Sequence, residues 1–413
     1  MRVYNVAIAG AGAAGLMAAI RAGQLNERIV LIEKNNRVGK KILLTGNGRC
    51  NITNIADIDT FIKKFGENGR FFRTAFSVFF NQDVMNFFKL CGLDLKVERQ
   101  GKVFPVTEQA ESVVEVFEKC LSREKVEVLY NSRVADIKKQ NDIFELRLEN
   151  NDTIYAKKVI LASGGASYKE TGSSGDGFDI AEKLGHSIIS LKPALVPLKT
   201  KEVWVKKLQG ISLKDVKVTW GYGNKKNVSE IGEMIFTHFG ISGPLILDLS
   251  GEIVLALNKE KEISLCIDFE PAFIPEQLEK RLLAEFDTAQ NAQLKNVMKT
   301  LLPQRLIDVF LDIAGLPAEK KANQISRAER HIVIKFLKAF PLTITSALKL
   351  ECAMVTNGGI STKEINPRTM ESKIVQGLYF AGEIIDGCAP SGGYNLQQAF
   401  STGWLAGEKA SVL

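Results

Sequence analysis

Gly10-Ala11-Gly12-Ala13-Ala14-Gly15 is the first stretch whose residue types and spacing could do chemistry. It follows an apolar run, Val3–Ala9, and opens a stretch of helical periodicity, so strand, tight turn and helix come in succession. Gly10 permits the turn, Gly12 removes a side chain where a pyrophosphate must approach the backbone, and Gly15 lets the helix lie close on the strand. Around Ala13 and Ala14 the helix start offers unpaired N–H groups and a partial positive charge to phosphates. The pattern alone is a weak signal, since a glycine-rich turn satisfies it too. Glu33 strengthens it: it ends the next strand pattern, Arg28–Glu33, near the spacing of about 20 residues at which a carboxylate accepts both hydroxyls of an adenosine ribose. With Lys34 beside it, Glu33 completes the outline of a dinucleotide site.

The far end of the chain selects FAD. Gly377-Leu378-Tyr379-Phe380-Ala381-Gly382-Glu383 is an apolar strand pattern ending in glycine and acid, which places a carboxylate where a ribityl chain, absent from NAD, would need one. Gly392-Gly393-Tyr394-Asn395-Leu396-Gln397 then opens the last helix, whose N–H groups can stabilise negative charge on a flavin edge. Val159-Ile160-Leu161-Ala162-Ser163-Gly164-Gly165 reads as a buried strand running into a small-residue turn beside the dinucleotide. Any one of these could be a structural loop; their order along one chain is the stronger signal. Asp386 either supports the ribityl contact of Glu383 or caps its own turn, and Tyr394 either stacks on the ring or packs at the helix start.

With these residues in place the chain resembles a bacterial FAD-binding family, described as aminoacetone-oxidase-like or bile-acid-reductase-like, among the two-dinucleotide-binding-domain flavoproteins. The resemblance is carried by Lys40-Lys41, by Thr45-Gly46-Asn47-Gly48-Arg49-Cys50-Asn51-Ile52-Thr53-Asn54 and by Phe236-Thr237-His238-Phe239-Gly240-Ile241-Ser242-Gly243-Pro244. Val355 to Ile360 and Thr369-Met370-Glu371-Ser372-Lys373 extend it over essentially the whole chain. The loop from Thr171-Gly172 to Gly177 is also similar to that of fumarate-reductase-type flavoproteins. The resemblance implies an inserted barrel-like β domain carrying a helical segment. It also implies that Lys41, Gly46, Gly48, Arg49, Asn51 and Thr53 wrap the FAD, the alternative being a self-bonded turn, and that Val134 meets adenine through its backbone or is a plain strand residue.

Cys50 could face the flavin as a redox thiol, but no second cysteine is spaced as its partner, and a buried structural thiol is the simpler reading. His238 is either an acid or base above the flavin or a loop-packing residue. His186, after the helix-ending Gly185, reads as a cap or surface residue, and His331 as a solvated position on a charged helix.

The elements that must hold these groups follow from periodicity. Helical spacing over 82–91 and 108–123 precedes short strands at Val126–Tyr130, Phe144–Leu148 and Lys158–Ala162, then a helix near Gly177. The pattern changes at about Leu191, with Pro193 and Pro197, and strands at Val216–Tyr222 and Ile263–Phe269 follow. Helices at Pro275–Phe286, Pro303–Ala314 and Arg327–Ala339 fill 275–340. Strand patterns return at Leu348–Thr356 and Gly377–Ala381 before a helix over Tyr394–Lys409. The predicted fold class is α/β, a Rossmann-like FAD-binding domain made of 1–190 and 348–413 with 191–347 inserted.

Bulk properties narrow the chemistry. Over 413 residues, 54 Lys and Arg against 47 Asp and Glu leave +7, too little and too dispersed to indicate nucleic acid. Six cysteines (50, 91, 120, 266, 352 and 388) show no C-x-x-C, which points away from a disulfide framework or a metal site and towards reduced thiols in a cytoplasm. The apolar run Val6–Ile20 leads into another strand pattern rather than a cleavage site, and no run reaches the roughly 18 apolar residues of a membrane helix. No second G-x-G-x-x-G marks an NAD(P)H domain, and Gly221-Tyr222-Gly223-Asn224 reads as a hairpin turn. NAD(P)H would then be a transient donor sharing one pocket with a small-molecule substrate, with O₂ as the alternative partner of the flavin. Of three classes the expected one is an FAD-dependent oxidoreductase, an NAD(P)H-linked reductase of a small or steroid-like C=C substrate with amine oxidation by O₂ as its alternative; a tRNA-modifying flavoprotein and a non-catalytic FAD-binding protein are the other two. The sequence carries no signal of oligomeric state.

Overall fold

Val3–Ala9 (β1) and Ile29–Ile32 (β2) are short apolar runs, the kind a protein places where both sheet faces are covered. They pair in parallel from Val6–Ile29 to Ala9–Ile32, with helix Ala13–Leu25 (α1) between them in the chain. The computed structural model describes residues 2–223 and 225–412, and in it this unit sits inside a seven-stranded sheet. Glu127–Leu129 pairs outside β2, and Thr153–Leu161 lies parallel along the other side of β1. The far edge of Thr153–Leu161 takes antiparallel Ile143–Leu148 and, beyond it, parallel Leu378–Phe380, so a late strand is sewn into an early sheet. Val134–Gln140 closes that side.

The last helix, Tyr394–Ser411, packs on α1. A Cβ on Gly403 would stand 2.2 Å from the Ala14 carbonyl oxygen, and one on Gly407 2.4 Å from that of Ala18. Backbone therefore meets backbone across this contact, and only glycine fits. Arg21 of α1 flanks the contact, 2.7 Å from Glu408 and over the ring of Trp404.

The chain divides into two compact units, 1–194 with 350–413, and 195–349. Each has its own apolar cluster. Strand Ile188–Ala194 runs through the change of pattern at 191 and pairs antiparallel with Val355–Ile360. A two-stranded sheet has only edges, so Pro193 costs it no interior ladder bond. The strand expected over Leu348–Thr356 lies later: Leu350–Cys352 is a 3₁₀ turn and pairing begins at Val355. Gly358 and Gly359 allow this, because a Cβ on Gly358 would meet the Ser190 carbonyl oxygen at 2.4 Å.

In the second unit the antiparallel pairings form a ring. Ser212–Tyr222 joins Gly232–Phe236 through its first half and Ile263–Asp268 through its second, and Gly240–Ser242, Leu198–Thr200 and Phe340–Ala347 complete the circuit. Tyr222 pairs with Lys225 as in a hairpin; Asn224, of the expected turn, lies outside the described residues. Helices Pro275–Thr288, Leu294–Val297, Gln304–Ala314 and Arg327–Lys338 form the helical segment, and Phe310 stacks on Phe340 with ring centroids 5.7 Å apart. Helix Pro244–Leu257 and, in the first unit, helices Ile58–Lys64 and Gly69–Val78 have no counterpart in the periodicity reading.

His186 corrects its sequence reading. It is neither cap nor surface but buried, edge-on to Phe380, with Nε2 3.0 Å from Ser372 Oγ. The Ser372 hydroxyl accepts from the Ile374 and Val375 N–H groups, so its own proton goes to His186. Nδ1 lies 3.4 Å from Glu364 Oε2, an ion-pair distance but not an aligned hydrogen bond. His331 is half-exposed, 3.8 Å from Glu279.

Two outcomes are expected. Gly403→Ala should lose about 1–3 kcal/mol of stability in urea unfolding, although helix propensity alone would favour Ala by about 1 kcal/mol. Burial lowers the His186 pKa below its ordinary 6.5, against the pull of Glu364. The neutral ring therefore contributes stability that is complete above about pH 6.5 and is lost as pH falls towards the lower folded value. Urea midpoints between pH 5 and 7.5 should fall on acidification, and His186→Gln should flatten that slope; an unchanged slope would refute the assignment.

Candidate functional site

Four segments of the first unit converge at the start of α1. Gly10, with φ +103°, turns the chain so tightly that a Cβ there would meet the Ala162 carbonyl oxygen at 2.6 Å and Ser163 Cα at 2.9 Å. Gly15 is as constrained, its Cβ position 1.8 Å from the Gly10 carbonyl oxygen. Gly382 lies against the Ala14 methyl, and its N–H donates to Thr402 Oγ1 at 2.9 Å. Gly12 differs: nothing stands within 4 Å of its Cβ position, and as N-cap of α1 it has no side-chain cap. The first turn of the helix thus faces open space with its N–H groups uncapped. Ser163 Oγ is buried there without a hydrogen-bond partner, as is Asn51 Oδ1 in its own loop. An uncapped helix start open at the Gly12 Cβ position, together with the orphaned hydroxyl of Ser163, whose Cα lies against Gly10, fits a dinucleotide pyrophosphate.

Glu33 is held in position by Ala11 N–H, 2.8 Å from Oε2, and by the N–H and side-chain amide of Asn35 on Oε1. Val134 begins its strand nearby, because Ser132 N–H donates to the Glu33 carbonyl at 2.9 Å. Lys34 pairs with Asp176 at 2.8 Å, and Arg133 with the same carboxylate at 2.6 Å. Burial opposes ionisation of Asp176, yet the bonds from Arg133, Lys34 and Ser174 pull it down to about 2.

Glu383 is fully engaged. Its Oε2 pairs with Lys41 at 2.6 Å, and its Oε1 accepts from Ser167 Oγ at 3.0 Å and Thr356 N–H at 2.8 Å. Lys41 also donates to Ser167. Gly165 abuts this knot: a Cβ there would meet Thr356 Oγ1 at 2.3 Å. Gly164, at φ +77°, precedes it. The structure thus gathers Lys41, Ser163–Gly165 and Glu383 beside the glycine turn. Asp386 bonds Asn68 at 2.9 Å, and burial raises its carboxyl above the ordinary range despite that bond.

The segment 45–54 is clasped by the last helix. Thr53 Oγ1 meets Gln397 Oε1, Asn54 Nδ2 donates to the Gly392 carbonyl, and a Cβ on Gly393 would meet the Thr53 carbonyl oxygen at 2.3 Å. Gly46 and Gly48 both take positive φ, and space is open around Gly48. Cys50 is fully buried, and burial pushes its thiol up to about 12, in keeping with a structural role. Arg49 turns away to Glu98, Glu108 and the Phe104 ring at 4.2 Å. Tyr394 packs edge-on to Phe61 at 4.7 Å, Asn395 ties the Ala389 backbone at both its N–H and its carbonyl, and Leu396 is partly buried behind it. His238 stands exposed in the second unit, between strands Gly232–Phe236 and Gly240–Ser242, beside Phe239.

Ser167, Thr356, Asn68 and the pair Gln398/Thr402 are additions to the sequence reading. Only the last left a trace: two polar residues four apart on a largely buried helix.

Comparison with known proteins decides the family. The HI0933-like protein Rossmann domain family matches residues 4–409. The chain belongs to this family. It is therefore an FAD-dependent oxidoreductase with an α/β Rossmann fold built from both ends of the chain. It is 35% identical to the 3-dehydro-bile acid delta(4,6)-reductase of Clostridium scindens, over 98% of this chain and 99% of that one. It is 29% identical to the ribosomal RNA dihydrouridine synthase of Escherichia coli, over 99% and 98%. The fold is also that of a flavocytochrome c3 fumarate reductase in its open conformation, with TM-score 0.54 and 15% identity over 99% of this chain and 78% of that one. No helix among the described residues is long and apolar enough to cross a membrane.

Gly12→Asp should separate cofactor binding from folding. An acidic N-cap in open space should leave the unfolding midpoint unchanged or slightly raised, while FAD affinity falls on the order of 100-fold as carboxylate replaces phosphate at the helix start. Titration of apoprotein with FAD, beside urea unfolding, would show it; a Gly12→Asp protein that holds FAD normally would place the pyrophosphate elsewhere.

Proposed function

We propose that this enzyme saturates a carbon–carbon double bond conjugated to a carbonyl in a small polycyclic molecule, with NAD(P)H as the source of electrons. The supporting observation is that two full-length relatives with very different substrates share this chemistry in their names. A 3-dehydro, delta(4,6) bile acid is a ketone conjugated to C=C bonds, and a dihydrouridine synthase saturates the C=C beside a carbonyl of the uracil ring. The higher identity, 35% against 29%, favours the small polycyclic substrate.

Bound FAD would supply hydride transfer. The chain's own groups position it and manage charge. The α1 start, with Gly12 open, would hold the pyrophosphate, and Glu33 the adenosine ribose. The Lys41–Glu383–Ser167 knot would fix a cation and a carboxylate side by side near the ribityl chain, and the start of helix Tyr394–Ser411 would supply partial positive charge. His238 enters the proposal as a proton donor on its chemical type and its exposure.

A second reading, reduction of uridine in ribosomal RNA, is favoured by the nearly complete coverage of the dihydrouridine synthase. One experiment separates the readings. Purified FAD-loaded protein is mixed anaerobically with NADH or NADPH while flavin absorbance is followed, then offered a 4-en-3-one steroid or unmodified ribosomal RNA. Rapid bleaching followed by reoxidation with the steroid, and a product two mass units heavier, is the expected result. Reoxidation by RNA alone would transfer the proposal to the second reading. No bleaching with either nucleotide would overturn both and leave amine donors with O₂ as the sink.

A further inference from the structure

Cys91 and Cys120 are far apart in sequence and together in space. Cys91 caps the end of helix Asn81–Leu90, Cys120 lies in helix Ala110–Arg123, and their sulfurs are 3.2 Å apart. The two helices are already locked by aromatic contacts, Phe88 on Phe117 at 5.5 Å and Phe87 on Phe117 at 6.0 Å. A disulfide of about 2.05 Å would ask the sulfurs to approach by only about 1 Å. The turn can supply that movement, because Gly92, next to Cys91, has nothing within 4 Å of its Cβ position. Cys120 is buried and Cys91 partly exposed, so an oxidant reaches Cys91 first. Cys120, screened from the oxidant by its burial, which also raises its thiol, is the resolving rather than the attacking group.

The second helix also touches the segment assigned to the cofactor. A Cβ on Gly39 would meet Val114 at 2.9 Å, and helix Ala110–Arg123 packs on Ile42–Gly48, the approach to residues 45–54.

We propose that Cys91 and Cys120 form a peroxide-responsive dithiol whose closure to a disulfide stiffens the platform under residues 42–54 and slows the loss of FAD. The second half rests on the reading of that segment as cofactor-binding. The Cys91 thiolate attacks one peroxide oxygen, breaking the O–O bond; the sulfur becomes a sulfenic acid and hydroxide leaves, to be protonated to water. Cys120 sulfur then attacks the sulfenic sulfur, the S–O bond breaks, and the hydroxyl leaves with the Cys120 proton as a second water. Two thiols lose two electrons and the peroxide gains them; a thiol reductant reverses the change.

FAD-loaded protein is treated with graded hydrogen peroxide, thiols are counted, and non-reducing digests are analysed by mass spectrometry. Release of FAD is followed by its fluorescence before and after dithiothreitol. Cys352, which is exposed, is the internal standard for oxidation. The expected result is a Cys91–Cys120 linked peptide at or below the peroxide dose that oxidises Cys352, loss of two thiols that dithiothreitol restores, and FAD release slowed severalfold. Cys91→Ser, at a partly exposed position, should abolish the link and the slowing; Cys120→Ala is the second variant. Oxidation of Cys352 with the pair still reduced, or Cys91 driven to sulfinic acid without a link, would overturn the proposal. A link that leaves FAD release unchanged overturns the coupling to the platform. A preparation that retains no FAD overturns the cofactor reading of the segment, and the linked peptide still decides the pair.

Discussion

The distance between the first helix and the last is the constraint on which the site depends. Gly403 and Gly407 bring helix Tyr394–Ser411 against the carbonyls of Ala14 and Ala18, closer than any side chain would permit. That closeness lets Gln398 and Thr402 reach the Gly382 peptide, at its carbonyl and N–H respectively, and hold the turn that carries Glu383 over the start of α1. The next polar pair on the same helix, Gln397 and Ser401, reaches the Phe79 carbonyl, and Gln397 also meets Thr53. A helix buried on nearly all sides must satisfy the polar groups it carries, and here one pair ties down the Gly382 turn while the other ties down Phe79 and Thr53.

Charge around the site is compensated within the protein. The carboxylates of Glu33, Asp176 and Glu383 each receive hydrogen bonds or cations from residues distant in sequence. Buried carboxylates would otherwise be driven towards the neutral acid; Asp176, held low by Arg133 and Lys34, shows the compensation, while Asp386 is raised by burial and by the nearby Glu67 despite its bonds to the Asn68 amide and the Gly358 backbone.

Legibility in the sequence followed the kind of constraint. The turn Gly10–Gly15 and the acids at 33 and 383 could be read because each demands a particular residue type at a fixed local spacing. The strand over Gly377–Ala381 was readable from its apolar pattern and its glycine-acid ending, though its place beside Thr153–Leu161 emerged only in the structure. Ser167, Thr356 and Asn68 were not, since a polar residue in a loop gains its meaning only from a partner far along the chain. Arg49 was assigned to the cofactor by family likeness, and Glu98 and Glu108, in a distant hairpin, claim its guanidinium. His186 misled for the same reason: the helix-ending Gly185 is local, while Ser372 and Phe380 are not. Helix Gly69–Val78 carries three phenylalanines, a residue without strong helical preference, and it and Ile58–Lys64 are held by ring contacts such as Phe61 with Phe76 at 5.5 Å.

Because strand Leu378–Phe380 and helix Tyr394–Ser411 complete a sheet begun at Val3, order of synthesis matters to this molecule. A ribosome delivers the inserted unit, 195–349, as one uninterrupted stretch, able to close its ring of strands while the first unit is still missing its last helix. Until that helix arrives, the small-residue face of α1, Ala14 and Ala18, lacks the cover of Gly403 and Gly407, and the Gly382 turn lacks Gln398 and Thr402 and keeps the bonds of Glu383 to Lys41, Ser167 and Thr356. A chain made only as far as Gly393 thus carries an uncovered small-residue face on α1, and the cofactor cradle closes only once Tyr394–Ser411 has followed.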